Sequence, residues 1–565
     1  MICAIRATLK TMKKPSEAIN IVNLDHLGIV AGIIDEMELV EEVNKKVGIR
    51  IKETLSPGQV MKAMILNGLG FLSAPIYLFD TFFVGKATEH LIGEGVTPEQ
   101  LNDDRIGRAL DKYHQAGTTK LFTAIALKAA RKFQLSMKSV HLDSSSISVE
   151  GAYKNCQGKS QEVEAESEDT ESSMKTIKIV HGYSRARRPD LKQFIIDTIV
   201  SGDGDVPLYL KIDDGNADDK SVFVARLKEF KKQWTFDGIC VADSALYTAE
   251  NLSAMAGMKW ITRVPLSIKE AQHKICNIED SDWEYAQIKG YKIAAKASEY
   301  ADIQPRWLVI ESEIRKQADI KKIVKQVERQ LESSKTALHK LSRQKFACIA
   351  DAETAIKKLS DSGKYHQITE IESREKPVKT KKGKLNKSLQ TQTQVYQVTG
   401  TIEPRNSALE AEQAKAGRFI LATNILDTEA VSNPQVLLEY KAQQSNERGF
   451  RFIKDPLFFT ASVFVKKPER VEAIGMIMGL CLLVYNLAQR KLRQQLESIN
   501  DRVKNQVKKL TNKPTMRWIF QMFQAVHLVT INGAKQISNL TQERQDILRH
   551  LGEYCCQYYL IFPSG

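Results

Sequence analysis

Between residues 20 and 135 apolar positions recur every three or four residues, the period of a helix with one buried face. LDHLGIVAGIIDEMELVEEVNKKVG, from Leu24, has this spacing throughout. SPGQVMKAMILNGLGF opens on Ser56-Pro57, a serine cap followed by a proline at the first helical position. TPEQLNDDRIGRALDKYHQAG repeats that opening at Thr97-Pro98, and TTKLFTAIALKAARKF follows. Residues 1–135 therefore read as a helical N-terminal domain, with a DNA-binding module and a plain helical support both open.

From Ser139 the period changes. SVHLDSSSISVEGAY predicts a strand with alternating inward positions around Asp143. Lys154–Ser173 is polar, acidic and Ser-rich, which predicts a loop or hairpin tip. DVPLYLKIDDGN predicts a strand and turn, Ser221–Lys231 a helix, and FDGICVADSALYTAENLSAMAG a strand, a loop at Asp243-Ser244 and a helix. MKWITRVP adds a strand. Strands that alternate with helices point to an α/β core. The pattern breaks at Lys269. YKIAAKASEY and QPRWLVIESE are strand candidates, Ile314–Leu359 reads as one long charged helix with Lys and Glu four apart, and KPVKTKKGKLNK, Lys376–Lys387, is a basic loop. GRFILATNI, Gly417–Ile425, restores a core-like strand. The division expected is a first core segment at 136–268, an inserted domain at 269–416, a second core segment at 417–500, and a basic, helical C-terminal region at 501–565.

VEAIGMIMGLCLLVYNL, Val471–Leu487, is the most apolar run. Glu472 and Asn486 bracket a stretch shorter than a comfortable bilayer span, so a buried core helix is expected and no membrane partner. With 565 residues the chain is too long for one core. The formal charge of +14 suits a polyanionic partner without revealing the fold. Eight cysteines are scattered with no CxxC pair, which argues for reduced, packed thiols rather than a zinc or disulfide framework. The N-terminus has no long apolar core with a small-residue cleavage site, so no signal peptide is expected and the setting is read as cytoplasmic.

The candidate chemistry lies in three acids. Asp143 is inside a strand, and Asp243 follows the apolar run GICVA. Such aspartates are turn or cap residues in most proteins. They can also hold divalent metal at the carboxyl edge of a sheet, where magnesium takes carboxylate and water oxygens. Asp203, Asp205, Asp213, Asp214, Asp218 and Asp219 compete for the same role. If YKAQQSNERGFRFIK is a helix, Tyr440, Gln443, Glu447, Arg451 and Lys454 share one narrow arc at about 100° per residue. No P-loop, HExxH or G-x-S-x-G motif is present, so ATP use, that zinc-protease pattern and that serine-hydrolase elbow are not indicated. Trp260, Trp283 and Trp307 read as packed rings before base-stacking ones, and His141 and His181 as structural.

These segments together resemble bacterial insertion-sequence transposases of the DDE type, in the IS4-like group and its IS1634-like branch. That group has a tyrosine, two residues, an arginine, three residues, a glutamate, six residues and a lysine. The pattern lands here on Tyr440, Gln443, Glu447 and Lys454, with glutamine at the arginine position. VHLDSSSIS and CVADSALY match the two aspartate segments, HGYSRARRPDLKQ (His181–Gln193) a signature between them, and LDHLGIVAGIID the opening domain. The resemblance implies an α/β, ribonuclease H-like catalytic core interrupted by an inserted domain. It implies Asp143, Asp243 and Glu447 as catalytic metal ligands for two Mg²⁺ per site, with Mn²⁺ able to substitute. It implies DNA contacts from Tyr440, Arg448, Arg451 and Lys454 and from Arg185, Arg187, Arg188 and Lys192. The partners implied are transposon ends and target DNA, with a homodimer in the synaptic complex and a nucleoid-associated location. A nuclease without strand transfer and an inactive DNA-binding scaffold remain as alternatives. Arg490, Lys491 and Arg493 stand at a helix end, open to dipole and phosphate roles alike.

Overall fold

The structure, a computed structural model, describes residues 19–51, 53–71, 76–151, 153, 176–184, 188–217, 219–378, 393–443 and 465–562. The chain divides into two compact units, Met1–Trp260 with Glu439–Gly565, and Ile261–Leu438.

The first unit opens with a short strand, β1 (Ile19–Asn23), and seven helices: α1 (Leu27–Glu36), α2 (Leu39–Val47), α3 (Pro57–Gly68), α4 (Phe79–Phe83), α5 (Thr88–Ile92), α6 (Asp103–Gln115) and α7 (Thr118–Lys132). The Ser56-Pro57 opening is present as a capping box: Gln59 N–H donates to Ser56 Oγ at 3.2 Å, and Ser56 N–H to Gln59 Oε1 at 3.0 Å. The Thr97-Pro98 opening starts only a 3₁₀ turn, Pro98–Leu101. A second cap, Asn102, then accepts from Arg105 N–H and starts α6.

The sheet follows. β2 (Ser139–Val149), β3 (Lys192–Ser201) and β4 (Pro207–Asp213) form an antiparallel meander. After α8 (Asp219–Gln233) the chain returns as β5 (Ile239–Ala242), parallel to β2, and continues into α9 (Ala249–Ala254). Three antiparallel strands with a parallel fourth beside the first is the ribonuclease H-like arrangement. β2 does not alternate as expected; nearly all of it is buried. The reason is cover on both faces. Phe194 and Ile212 meet the long helix Pro468–Ser498 at Gly475. On the opposite face Arg226 of α8 bonds Asp197 and Asp213.

The second unit begins at Ile261, within β6 (Lys259–Arg263), and goes on to α10 (Lys269–Cys276). It continues through β7 (Glu284–Tyr285), β8 (Tyr291–Ala297), β9 (Arg306–Ser312), α11 (Glu313–Arg343), α12 (Ile349–Ser362), β10 (His366–Val378), β11 (Thr393–Pro404), α13 (Asn406–Lys415) and β12 (Arg418–Thr423), and ends at Leu438 within α14 (Asn433–Ala442), whose last residues belong to the first unit. Antiparallel pairing runs β6, β12, β9, β8, β7, and β10 pairs with β11. The single charged helix expected over 314–359 is two helices. Tertiary pairing breaks it: Phe346 exchanges backbone hydrogen bonds with Tyr396 of β11 at 2.9 and 3.0 Å, and the Cys348 thiol caps α12. Trp260 and Trp307 are fully buried, and Arg418 stacks over Trp283 at 5.1 Å, so all three rings are engaged in packing.

The apolar run expected as a core helix is the middle of Pro468–Ser498. It is long and apolar enough to cross a membrane, but 94% of its apolar window is buried in the protein. Residues 501–565, expected as basic and helical, also hold strands: β13 (Val503–Lys504), β14 (Leu510–Thr511), β15 (His527–Ile531) and β16 (Ala534–Ser538). β1 pairs with β15, so the first described strand is completed by residues some five hundred positions later. The C-terminal helix Glu553–Tyr558 seats on α1, where Gly32 leaves room for the Cys555 backbone and Tyr559 OH donates to Asp25 O at 2.6 Å. A Cβ on Gly32 would stand 2.7 Å from Cys555 Cα. Gly32→Val should lower stability by about 1–3 kcal/mol in urea unfolding; an unchanged midpoint would mean that this helix does not seat on α1.

Candidate active site

β2 and β5 set the geometry of the acids. Their parallel register pairs Ser139 with Ile239, Val140 with Cys240 and His141 with Val241. Asp143 and Asp243 each follow the last pair, His141 with Val241, by two residues. Each carboxylate is oriented by a backbone N–H: Ser144 donates to Asp143 Oδ1 and Ala245 to Asp243 Oδ1, both at 2.9 Å. Asp143 is half-buried and Asp243 is exposed, at the point where β5 ends and a 3₁₀ turn begins. Thr198 Oγ1 on β3 donates to Asp143 O at 3.4 Å.

Glu447, Arg448, Arg451 and Lys454 lie outside the described residues, as do Arg185 and Arg187. Tyr440 sits half-buried in the last turn of α14. Gln443, at the position where the resemblance calls for arginine, donates through Nε2 to Leu142 O at 3.4 Å. The chain four residues before Glu447 is thereby tied to the residue before Asp143. Arg188 is exposed and its guanidinium forks onto Asp190 at 2.8–3.2 Å; Lys192 Nζ donates to Tyr153 O at 2.7 Å.

Three of the competing acids, Asp203, Asp213 and Asp214, are occupied inside the fold, while Asp218 and the side chain of Asp219 lie outside the described residues. Asp203 accepts from Arg490 Nε and Nη2, at 2.9 and 2.6 Å, and from Ser136 N–H. Asp213 meets Arg226, and Asp214 accepts from Lys178 N–H. The same contacts correct the phosphate role left open for the helix end: Arg490 is buried on Asp203 and on the carbonyls of Phe133 and Gln134, and Lys491 pairs with Glu36. Arg493 donates to Pro514 O at 2.9 Å.

Two buried groups near the site carried no signal strong enough to single them out. Asp197, within the apolar strand QFIIDTIVS, lies on the face opposite Asp143, against Ser144, Asp213 and Arg226. Burial and the Asp213 charge push its carboxyl up to about 7 against the pull of Arg226. His141, on the Asp143 face, is buried with neither ring nitrogen paired among the described residues, and burial pushes it down to about 4, so it is neutral. Among the described residues no three His, Cys, Asp or Glu side chains cluster as a metal site. The two aspartates at the ends of the β2–β5 ladder are hard oxygen donors of the kind magnesium takes.

A family model described as the transposase DDE domain matches residues 140–487, from the strand of Asp143 to the long buried helix. That is more than half of the chain. The chain belongs to the DDE transposase domain family. Ahead of this domain, residues 19–127 match a domain of unknown function, DUF4277. No curated protein matches by sequence. One solved structure similar to the transposase is a piggyBac transposase synaptic complex with hairpin DNA, at 8% identity and a TM-score of 0.37, covering 89% of this chain and 81% of that one. So low a score carries no argument about the site. The family membership makes this a DNA-acting enzyme of α/β, ribonuclease H-like architecture, its core formed by two chain segments on either side of the second unit.

Asp197 makes stability depend on pH in a definite direction. Its folded pKa lies above the unfolded value, so its contribution is full below about pH 4 and is lost as pH rises through about 7. The groups facing it are Asp213, Arg226, Ser144, Glu229, Tyr209 and Lys211. Asp197→Asn should gain stability relative to the native chain as pH is raised from 4 to 8 in denaturant titrations; a difference independent of pH would remove Asp197 as a buried, protonated acid.

Proposed function

We propose that the protein cuts DNA at the ends of an insertion sequence and joins the freed 3′-hydroxyls to target DNA. The observation supporting this is the parallel β2–β5 register within a transposase DDE domain, since Asp143 and Asp243 each follow its last pair by two residues. Asp143, Asp243 and Glu447 would hold divalent magnesium, with manganese as a substitute. When bound, such ions acidify an attacking hydroxyl and neutralise the leaving oxygen.

The bonds balance without an energy source. Water attacks a phosphorus at the element end, a new P–O bond forms, and the bond to the 3′ oxygen breaks, leaving a 3′-hydroxyl and a 5′-phosphate. The 3′-hydroxyl then attacks a target phosphorus, and the target's own 3′ oxygen leaves with the proton. One phosphodiester replaces another, consistent with a chain that has no P-loop. In this reading the carboxylates are held by Ser144 and Ala245 N–H, and Gln443 anchors the segment that leads to Glu447. Tyr440 serves as a phosphate contact or a packed ring rather than as a nucleophile, so no protein–DNA covalent link forms. Arg448, Arg451 and Lys454, with Arg185, Arg187, Arg188 and Lys192, position phosphates without reading bases. Two copies act together, one on each end. An IS4-like assignment, in its IS1634-like branch, is the finer family reading that goes with these motifs.

Purified protein, Mg²⁺ and DNA spanning the native gene boundary should give cleavage at the element ends and joined products. Chelation should abolish both. Asp143→Asn, Asp243→Asn and Glu447→Gln should each lower cleavage by about 100-fold or more while retaining DNA binding. A variant with full activity would remove that residue from the catalytic set, and cleavage without joined products would make the protein a nuclease.

A further inference from the structure

The 31-residue helix α11 has no buried residue, yet one side of it is held in place. Tyr365 donates through its backbone N–H to Gln330 Oε1 at 2.7 Å and through its hydroxyl to Gln326 Oε1 at 3.2 Å. Leu338 and Leu341 pack on a small core of Ala352, Ile356, Ile368 and Val398, built by α12, β10 and β11. These contacts fix which way the helix is turned.

Its remaining side is patterned. At about 100° per residue, Arg315, Lys322, Lys325, Arg329, Lys340 and Arg343 fall within one arc of about 80°, turned away from the Leu341 face. The other residues of that arc are Ala318, Ser333 and Thr336, all small. No acid lies in it. All six cations are exposed. Among the described residues Lys322, Lys325, Arg329, Lys340 and Arg343 have no ion-pair partner; only Arg315 approaches an acid, Asp319, at 3.7 Å. At a rise of about 1.5 Å per residue the row is about 42 Å long, more than one turn of B-DNA at about 34–36 Å.

An ordinary solvated helix mixes both signs around its circumference. Here the acids Glu313, Asp319, Glu328 and Glu332 all fall outside the arc. A protein-docking face would carry aromatic or large aliphatic anchors, and the arc has none. What the arc offers is positive charge along its length, in a group at Arg315–Arg329 and a pair at Lys340 and Arg343, with the small Ser333 and Thr336 between them that admit a close approach.

We infer that the Arg315–Arg343 face of α11 is a track for the sugar-phosphate backbone of duplex DNA, bound without regard to base sequence. This rests on the reading of the chain as an enzyme that works on DNA, and it adds a contact surface on the second unit to the residues proposed above. Each phosphate neutralised releases condensed counterions, so the track contributes a salt dependence of its own.

The test is a set of anisotropy titrations of the full chain against a labelled duplex of the element end and an unrelated duplex of equal length, over a salt series. In Lys322→Gln/Lys325→Gln/Arg329→Gln/Lys340→Gln the helix propensity is nearly unchanged. The slope of log affinity against log salt should become shallower by about 3 to 4 units, at about 0.9 per contact, and equally for both duplexes. Lys322→Arg/Lys325→Arg/Lys340→Arg should keep the native slope. A control that removes the same charge elsewhere on the second unit, Lys269→Gln/Lys289→Gln/Lys357→Gln/Lys358→Gln, should move the slope much less. An unchanged slope in the α11 variant overturns the track, as does an equal change in the control. Cleavage assays on the same preparations separate the two readings. Native cleavage with an unchanged slope in the α11 variant defeats the track alone. No metal-dependent cleavage, with the expected loss of slope, defeats the transposase reading alone.

Discussion

Parallel strands cannot be joined by a tight turn, so two residues on neighbouring parallel strands are far apart in the chain and meet only if the intervening chain makes a full crossover. β2 and β5 are such a pair. The path between them runs out through β3 and β4 and back through α8, and both faces of the resulting sheet are covered, by the helix Pro468–Ser498 on one side and α8 on the other. Double cover makes the register strict. A slip of one residue would turn Asp143 to the Arg226 side and bring Ser144 to the edge beside Asp243. The placement of the carboxylate pair is therefore a by-product of burying Val140, Leu142, Cys240 and Val241, all of them in the core. Packing energy, not any attraction between the acids, thus fixes the strands that lead to them.

The rest of the charge in the first unit is spent on internal pairing. Arg490 with Asp203, Arg470 with Asp111, Lys491 with Glu36 and Arg226 with its two aspartates join distant segments and leave little free charge at those points. Burying one member of such a pair without the other would be costly, so these residues lock topology more than they add stability. Net charge alone consequently says little about where DNA lies. The distribution says more: on α11 Lys322, Lys325, Arg329, Lys340 and Arg343 have no ion-pair partner among the described residues and share one face, whereas on the helix end at Arg490 an equally basic run is consumed by carboxylates and carbonyls.

The first and last parts of the first unit depend on each other in a similar way. β1 needs β15 for its hydrogen bonds, and α1 needs the helix Glu553–Tyr558 to cover Gly28 and Gly32. The segment matched as a domain of unknown function, 19–127, thus contains most of a helical layer but not all of its own core. Its long apolar partner, Pro468–Ser498, meets α3, α6 and α7 and the strand β4, so helical layer and sheet share one buried helix.

The amino-acid sequence by itself determined what local physics can write into ten or twenty residues. The Ser56-Pro57 helix start, the strands at Asp143 and Asp243, the buried nature of the run at Val471 and the return to strand at Gly417 were all legible as period, cap or apolar run. Which aspartates matter was not legible from period or spacing, because Asp143, Asp203, Asp213 and Asp243 look alike along the chain and differ only in what the fold sets beside them. Likewise Asp197 and Arg226, Gln443 and Leu142 O, and Phe346 and Tyr396, whose pairing splits one expected helix into two, are contacts between residues 29 to 301 positions apart. Only tertiary structure could decide these, since side-chain pairing across such separations is set by the burial of whole sheets and helices and leaves no periodic trace in the chain.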